Sequence, residues 1–276
     1  MMSSNNATPA NAFAGSIPEN YDRYLGPLLF EPYALDLAAR IDPQQAGSVL
    51  EIACGTGRVT KHLKKRLAPG AKLVATDLNP DMINVAKAAL NDNTIIWQTA
   101  DAQALPFPDK TFDLVVCQFG VMFFPDKPKA FAEAFRVLKN DGIFLFNTWD
   151  KVQSNSFMHT GIEVMAGLMT HKPPVFFQVP FSMHDEPKLV ALCTNAGFKN
   201  VRIDLVKKES GSSNARDFAL GTVKGNPVYN EIKALGEQKV NEIMDAIEAA
   251  TTLKHGPGIE KQTLQAFICR AEKRES

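Results

Sequence analysis

An excess of either charge sign is missing from this chain, in which 30 Lys and Arg balance 30 Asp and Glu. A surface that neutralises phosphates needs a basic excess, so the balance counts against a nucleic-acid partner. The densest basic run, Lys61–Arg66 (KHLKKR), falls at helical spacing and reads as a solvated helix face. Cysteine is scarce: Cys54, Cys117, Cys193 and Cys269 are far apart and form no CxxC or Cys/His ligand pattern. That excludes a structural metal of the ribbon or finger type and fits a reducing, cytoplasmic setting. No apolar run approaches the roughly 18 residues that span a bilayer. The first twenty residues carry neither the basic start nor the apolar core of a leader, so a soluble, cytoplasmic chain is expected. No internal repeat is visible.

What is present is an ordinary globular composition, 45% hydrophobic and 22% charged, in a length that suits one large α/β domain. Residues 1–20 are small, polar and Pro-containing, and are expected to form a flexible arm. From Tyr21 to about Ile41 the pattern is helical, broken at Pro27 and Pro32. Strand and helix then alternate. SVLEIA, KLVATDL, IIWQTAD, FDLVVCQF and GIFLFNTW read as strands; Gly57–Leu67, Pro80–Leu90 and Lys127–Leu138 read as helices. Asn79 is the expected N-cap of the second helix, with Pro80 at its first position. Nearly continuous apolar strands imply a parallel, doubly wound sheet covered on both faces. Further on, residues 151–184 are rich in Phe and Met without a strand period, Asp185–Ala196 is helical, and NVRIDLVKK is a sixth strand. Residues 209–229 read as a Gly/Ser/Asn-rich connection. A helix is expected from about Asn230 to Thr251 on the stripe Ile232, Leu235, Ile243, Ile247 and Ala250. LQAFICRAEK is the seventh strand.

The first strand ends in EIACGTGRVT, a glycine turn that brings backbone N–H groups and a helix start towards a ligand. A P-loop would read GxxxxGKS/T, and nothing here matches. A dinucleotide turn would read GxGxxG, but Thr60 stands where the third glycine belongs and Glu51 interrupts the apolar strand. Asp77 ends the second strand twenty residues after Gly57, where an acid accepts both ribose hydroxyls of a nucleoside. Asp101 ends the third strand, where it could meet an adenine amino group or only cap the next turn.

Four motifs in this order, EIACGTG, ATDLNPDMINVAK, WQTADAQALPFPDKTFDLVVCQFGVMFFPD and AFRVLKNDGIFLFNTW, resemble the class I S-adenosylmethionine-dependent methyltransferases, in particular the ubiquinone/menaquinone-type small-molecule subgroup. The likeness covers roughly Tyr21 to Trp149. It implies a seven-stranded Rossmann-like methyltransferase sheet over residues 21–276, its last strand antiparallel, with helical cap insertions at about 151–184 and 209–258. It also implies S-adenosyl-L-methionine as cofactor and S-adenosyl-L-homocysteine as product. By position, Glu51, Ala53, Gly55 and Gly57 would line the methionine and ribose part and Asp77 would hold the ribose hydroxyls. Leu78 and Met82 would flank the adenine, and Asp101 and Ala102 would read its edge. Gln118 and Phe119 would lie beside the sulfonium, with Tyr21 and Phe30 closing over the site.

Methyl transfer from a sulfonium needs an oriented nucleophile more than acid–base machinery. A base matters only if the acceptor must lose a proton, and the candidates are His159, His171, His184, Asp150 and Tyr33. Family members that methylate nucleobase nitrogens or glutamine amides often carry an Asp/Asn-Pro-Pro-aromatic motif after the fourth strand. This chain has CQFGVMFFPD there, which counts against those substrates. The 151–184 insertion could form an apolar acceptor pocket or equally a core for the added helices, and a small, apolar or aromatic acceptor is expected. A nicotinamide oxidoreductase, a non-catalytic adenosylmethionine-binding protein and a macromolecular methyltransferase are the competing readings.

Overall fold

A computed structural model describes residues 13–169, 175–259 and 261–274. The chain enters through α1 (Ile17–Asn20), a π-helix (Tyr21–Phe30) and α2 (Glu31–Ala39). The alternating region follows as β1 (Ser48–Glu51), α3 (Thr60–Arg66), β2 (Lys72–Asp77), α4 (Pro80–Leu90) and β3 (Ile95–Thr99). It continues with β4 (Phe112–Gln118), α5 (Lys127–Val137) and β5 (Leu138–Trp149). Then come α6 (Ser156–Leu168), α7 (Glu186–Asn195), β6 (Lys199–Glu209), β7 (Ser213–Asn214) and α8 (Ala215–Lys224). The last elements are α9 (Val228–Ala234), α10 (Glu237–His255), β8 (Gly258–Ile259) and β9 (Thr263–Glu272).

Seven strands form one sheet in the order β3-β2-β1-β4-β5-β9-β6, and β7 pairs with β8 apart from it. β1 to β5 are parallel, with Val49 opposite both Leu73 and Leu114. β9 lies antiparallel between β5 and β6, with Cys269 opposite Phe146 and Ile203. Adjacent residues of the central strands, such as Val49 and Leu50, are both fully buried, because helices cover both faces. The strand order reverses beside β1, which opens a crevice beyond the C-terminal ends of β1 and β4.

Helix starts follow their caps. Asn79, Asp126, Asp185 and Asn214 each accept a backbone N–H from the first turn of α4, α5, α7 and α8, worth about 1 kcal/mol apiece.

Several expectations are corrected. Residues 13–20, assigned to the flexible arm, pack on the body, because Phe13 and Ile17 bury against Met82. Residues 1–12 lie outside the described residues. Pro27 does not break the entry helix: it sits inside the π-helix, whose wider turn accommodates the missing N–H. The first-turn helix begins at Thr60 rather than Gly57, since residues 55–59 form the turn itself. The 209–229 connection contains α8, whose apolar stripe includes Phe218, Ala219 and Val223. The single helix expected over 230–251 is two helices. Gly236, at φ +104°, breaks the phase, leaving Ile232, Ile243 and Ile247 buried but Leu235 61% exposed.

Candidate functional site

The glycine turn after β1 is built from residues in unusual backbone states. Ala53 and Gly55 both have positive φ, at 53° and 54°, and a Cβ on Gly55 would meet nothing within 4 Å. Gly55 therefore presents open backbone to the crevice. Gly57, at φ +79°, has a different duty: a Cβ there would stand 3.0 Å from Ala86 and Leu90 of α4. It permits close packing of the turn on α4 and does not line the cavity, unlike its expected role.

β4 ends in a second such turn. Phe119 adopts φ +49°, and its N–H donates to Oδ1 of Asn147 on β5 at 2.8 Å. A Cβ on Gly120 would fall 2.6 Å from the Ala53 Cβ and 2.7 Å from the Cys117 Sγ. The two turns thus touch through a position only glycine fills. Non-glycine residues held at positive φ cost of order 1–3 kcal/mol each and persist where neighbours enforce them.

Between these turns and the end of β2 lies an open cavity of about 1130 Å³. Tyr21, Ala53, Gly55, Asp77, Leu78, Met82, Asp101, Ala102, Gln118 and Phe119 line it, together with Phe13, Gln103, Gly120 and Phe123. Asp77 accepts backbone N–H groups of Gly55 and Asn79, each at 2.8 Å. Burial raises its carboxyl above the usual range, and those two N–H bonds offset part of the effect. Asp101 caps its own turn, accepting from Gln103 N at 2.8 Å, while also lining the cavity. Glu51 lies beneath the turn, 1% exposed, and does not line the cavity. Burial chiefly, with the Asp77 charge adding to it, pushes its carboxyl up to about 8.

The entry segment is clamped onto the glycine turn. Asp22 accepts from Thr56 Oγ1 at 2.8 Å and from Arg58 at 2.6 Å, and Arg58 also reaches Glu31 at 3.3 Å. Gly26 makes room for this guanidinium, which a Cβ there would strike. Asn79 also ties Phe13 down by donating to its carbonyl. Phe13 and Tyr21, whose rings meet edge-on at 5.7 Å, consequently stand over the cavity.

A second, smaller cavity adjoins the first and shares Phe13, Tyr21, Phe119 and Phe123 with it. Its walls come from the π-helix (Leu25, Leu29, Phe30), Trp149, α6 (Met158, Ile162), the 176–181 segment and α8. Phe30 belongs to this cavity rather than the first, stacked on Tyr21 at 4.9 Å. Phe119 stacks on Trp149 at 3.9 Å, between the two spaces. Apart from the indole of Trp149, the only polar side chains lining the second cavity are those of Tyr21, Thr222 and Asn226, among the described residues.

The proposed bases do not converge there. Tyr33 is fully buried and donates its hydroxyl to the Val206 carbonyl at 3.0 Å, outside both cavities. His159 faces Glu163 at 3.5 Å along α6, and His184 is exposed, bonded to the Phe181 carbonyl. Asp150 accepts from Gln265 at 2.8 Å. His171 lies outside the described residues. Chemical type marked these side chains in the sequence; the elements that carry them turn them elsewhere.

Four buried polar atoms near the strand ends have no partner among the described residues: Glu51 Oε2, Gln118 Oε1, Asn147 Nδ2 and Thr148 Oγ1. Such atoms are rare in folded proteins and call for an explanation such as a ligand. A carboxylate at the end of β2, open glycine backbone, a second carboxylate just beyond β3 and the unpartnered Gln118 Oε1 in the cavity wall fit an adenosine-bearing, cationic cofactor. Neither a P-loop nor a third turn glycine is needed for that. Residues missed in the sequence carried faint signals: Asn147 interrupts the apolar run FLFNTW, and Phe13 is a lone aromatic in a polar segment.

The model of a methyltransferase domain matches residues 50–146. The chain is 33% identical over 185 residues to a demethylmenaquinone methyltransferase of Thermus thermophilus, covering 63% of this chain and 82% of that protein. It is 40% identical over 110 residues to a ubiquinone/menaquinone biosynthesis C-methyltransferase of Saccharophagus degradans. That match covers 38% of this chain and spans less than half, 44%, of the relative. Among solved structures, the YcgJ protein of Bacillus subtilis aligns with TM-score 0.58 at 18% identity, over 88% of this chain and 99% of that one. A Haemonchus contortus phosphoethanolamine N-methyltransferase, solved with S-adenosylhomocysteine, aligns with TM-score 0.58 at 15% identity, over 94% and 57%. These two likenesses concern the fold alone. The nicotinamide reading falls with the family match, and the chain belongs to the class I S-adenosylmethionine-dependent methyltransferases.

Proposed function

We propose that this protein transfers a methyl group from S-adenosyl-L-methionine to a small, apolar, ring-bearing acceptor, releasing S-adenosyl-L-homocysteine. The observation that carries the reading is the pair of adjoining cavities, one polar and carboxylate-edged, the other walled by aromatic rings and meeting it at Phe119 and Tyr21. When bound, the cofactor supplies an electrophilic methyl carbon.

The chain's own residues divide the remaining work. Asp77 would accept the ribose hydroxyls, Asp101 and Ala102 would meet the adenine edge, and Leu78 and Met82 would flank its faces. Gly55 and Ala53 offer backbone to the methionine part, with Gln118 and Phe119 beside the sulfonium. Aromatic walls exclude water and align the acceptor, so proximity and orientation carry most of the rate gain. The described acceptor cavity holds no carboxylate or imidazole, and burial keeps the Tyr21 phenol protonated by raising its pKa. The acceptor must therefore bring its own electron density, as a ring bearing a hydroxyl does. Names of the relatives, a ubiquinone/menaquinone C-methyltransferase and a demethylmenaquinone methyltransferase, support a quinone-related ring.

We assign the reaction to one domain, which takes in the packed entry segment from Phe13 as well as the expected span from residue 21, acting on small molecules rather than nucleic acid, in the cytoplasm. Balanced charge and four free, buried cysteines support that assignment, and no helix of the described residues is long and apolar enough to cross a membrane. Calorimetric titration with S-adenosylmethionine, S-adenosylhomocysteine and NAD tests the donor side. Binding of the first two, weakened roughly ten- to a hundredfold by Asp77→Ala through loss of charged hydrogen bonds, is expected. Binding of NAD alone would overturn the reading. Label transfer from methyl-labelled cofactor to hydroxylated naphthalenes, with nucleosides and amines as controls, tests the acceptor side.

A further inference from the structure

Apart from the Trp149 indole, polar side chains reach the acceptor cavity at Tyr21, beside the cofactor cavity, at Thr222 near the C-terminal end of α8, and at Asn226, two residues beyond that helix. The last two have unspent hydrogen-bonding capacity. The Asn226 amide is oriented by its Nδ2, which donates to the carbonyls of Gly221 and Thr222 at 3.2 and 3.0 Å. The Oδ1 has no donor among the described residues. Thr222 is 6% exposed; its methyl faces α6, standing 3.6 Å from where a Cβ on Gly161 would be. Its hydroxyl likewise has no partner among the described residues.

The position of this pair is fixed closely. A Cβ on Gly221 would fall 2.6 Å from Leu25, and one on Gly225 would fall 3.1 Å from the Tyr21 backbone. α8 is therefore held against the π-helix that carries Tyr21, and two polar side chains are brought to an otherwise apolar space. Polar groups that face an otherwise apolar cavity favour a ligand that completes their hydrogen bonds over one that cannot.

We propose that Thr222 and Asn226 form the polar end of the acceptor cavity and orient the acceptor by one ring hydroxyl, which donates to Asn226 Oδ1 and accepts from Thr222 Oγ1. Resting on the acceptor reading above, the assignment selects for a free hydroxyl. A carbonyl or a methyl ether in the same place leaves Asn226 Oδ1 unmatched, and a cationic amine finds no carboxylate.

Equilibrium dialysis of the full chain, saturated with S-adenosylhomocysteine, against 1-naphthol and 1-methoxynaphthalene separates these cases. Wild type is expected to prefer 1-naphthol about tenfold. Thr222→Val, which keeps the packed methyl, should abolish that preference and leave the ether unchanged; Thr222→Ser should restore it. Asn226→Ala should act like Thr222→Val, which carries the test alone if the former fails to fold. S-adenosylhomocysteine affinity, unchanged in every variant, reports that the fold is intact. Equal binding of both rings by wild type, or a preference untouched by Thr222→Val, overturns the proposal and leaves the acceptor cavity standing. Binding of neither ring, with S-adenosylhomocysteine still bound, overturns both.

Discussion

Replacing Glu51 by glutamine should change how stability depends on pH. Glu51 is 1% exposed, its Oε2 has no partner among the described residues, and its carboxyl is pushed from an ordinary value near 4.5 up to about 8. The folded chain therefore holds this proton more tightly than the unfolded chain does. Stability is greatest below pH about 4.5 as far as this group is concerned. It falls as pH rises to about 8, and then levels off once both states are ionised. Over an interval of about 3.5 pH units, at about 1.4 kcal/mol per unit, the loss is bounded near 5 kcal/mol; relaxation around the charge should bring it to about 2–3 kcal/mol. Asp77 shifts in the same direction. The carboxyls of Glu31, Asp36, Asp113, Glu133 and Glu272 lie below their usual range, and their stabilisation is lost only in acid. The difference between wild type and Glu51→Gln isolates the one group. Urea unfolding without cofactor at pH 5, 6, 7, 8 and 9 should show the wild-type free energy falling relative to the variant up to pH 8. Parallel curves over that range would refute the reasoning.

Other perturbations follow from the same geometry. Asn147→Leu removes the acceptor for Phe119 N–H and should cost about 1–3 kcal/mol in urea unfolding, with weakened S-adenosylhomocysteine binding; Asn147→Asp, which keeps the oxygen, should recover the binding. Gly120→Ala forces a methyl between Ala53 and Cys117 and should destabilise by about 1–3 kcal/mol while weakening cofactor binding in calorimetry. Phe13→Ala should raise the S-adenosylmethionine Kd about fivefold and lower Tm as well, because Phe13 both covers the cavity and packs on Ile17 and Met82. An unchanged Kd would mean that the arm does not cover the cofactor.

The half of the molecule with local signals was legible in the sequence. The strand ending at Asp77, the Asn79–Pro80 helix start and the glycine turn depend on residues a few places apart, and each lies where its spacing indicated. The third strand, by contrast, ends at Thr99, and Asp101 stands two residues beyond it in the turn. Long-range causes hid the rest. Phe13 and Ile17 look like a loose arm until Met82 is brought beneath them. The Ile232–Ala250 stripe continues across Gly236 on paper, yet the positive φ there resets the helical phase and turns Leu235 outward. Gly57 matches the binding motif, but its freedom serves packing against Ala86 and Leu90. The histidines showed only that imidazoles exist, since a side chain's direction depends on partners such as Glu163 and the Phe181 carbonyl.

The shared aromatic wall also bears on how such a protein can change its task. Apart from Phe13 and Tyr21, the polar cavity is drawn from one continuous stretch, 53–125, while the apolar one is drawn largely from 149–181 and 218–226. Donor chemistry and acceptor choice are thus written in separable passages of the chain. Exchanging the later passages could retune the acceptor without rewriting the donor machinery, so long as Phe13, Tyr21, Phe119 and Phe123 still meet. Those four residues are the hinge on which any new specificity would have to be hung.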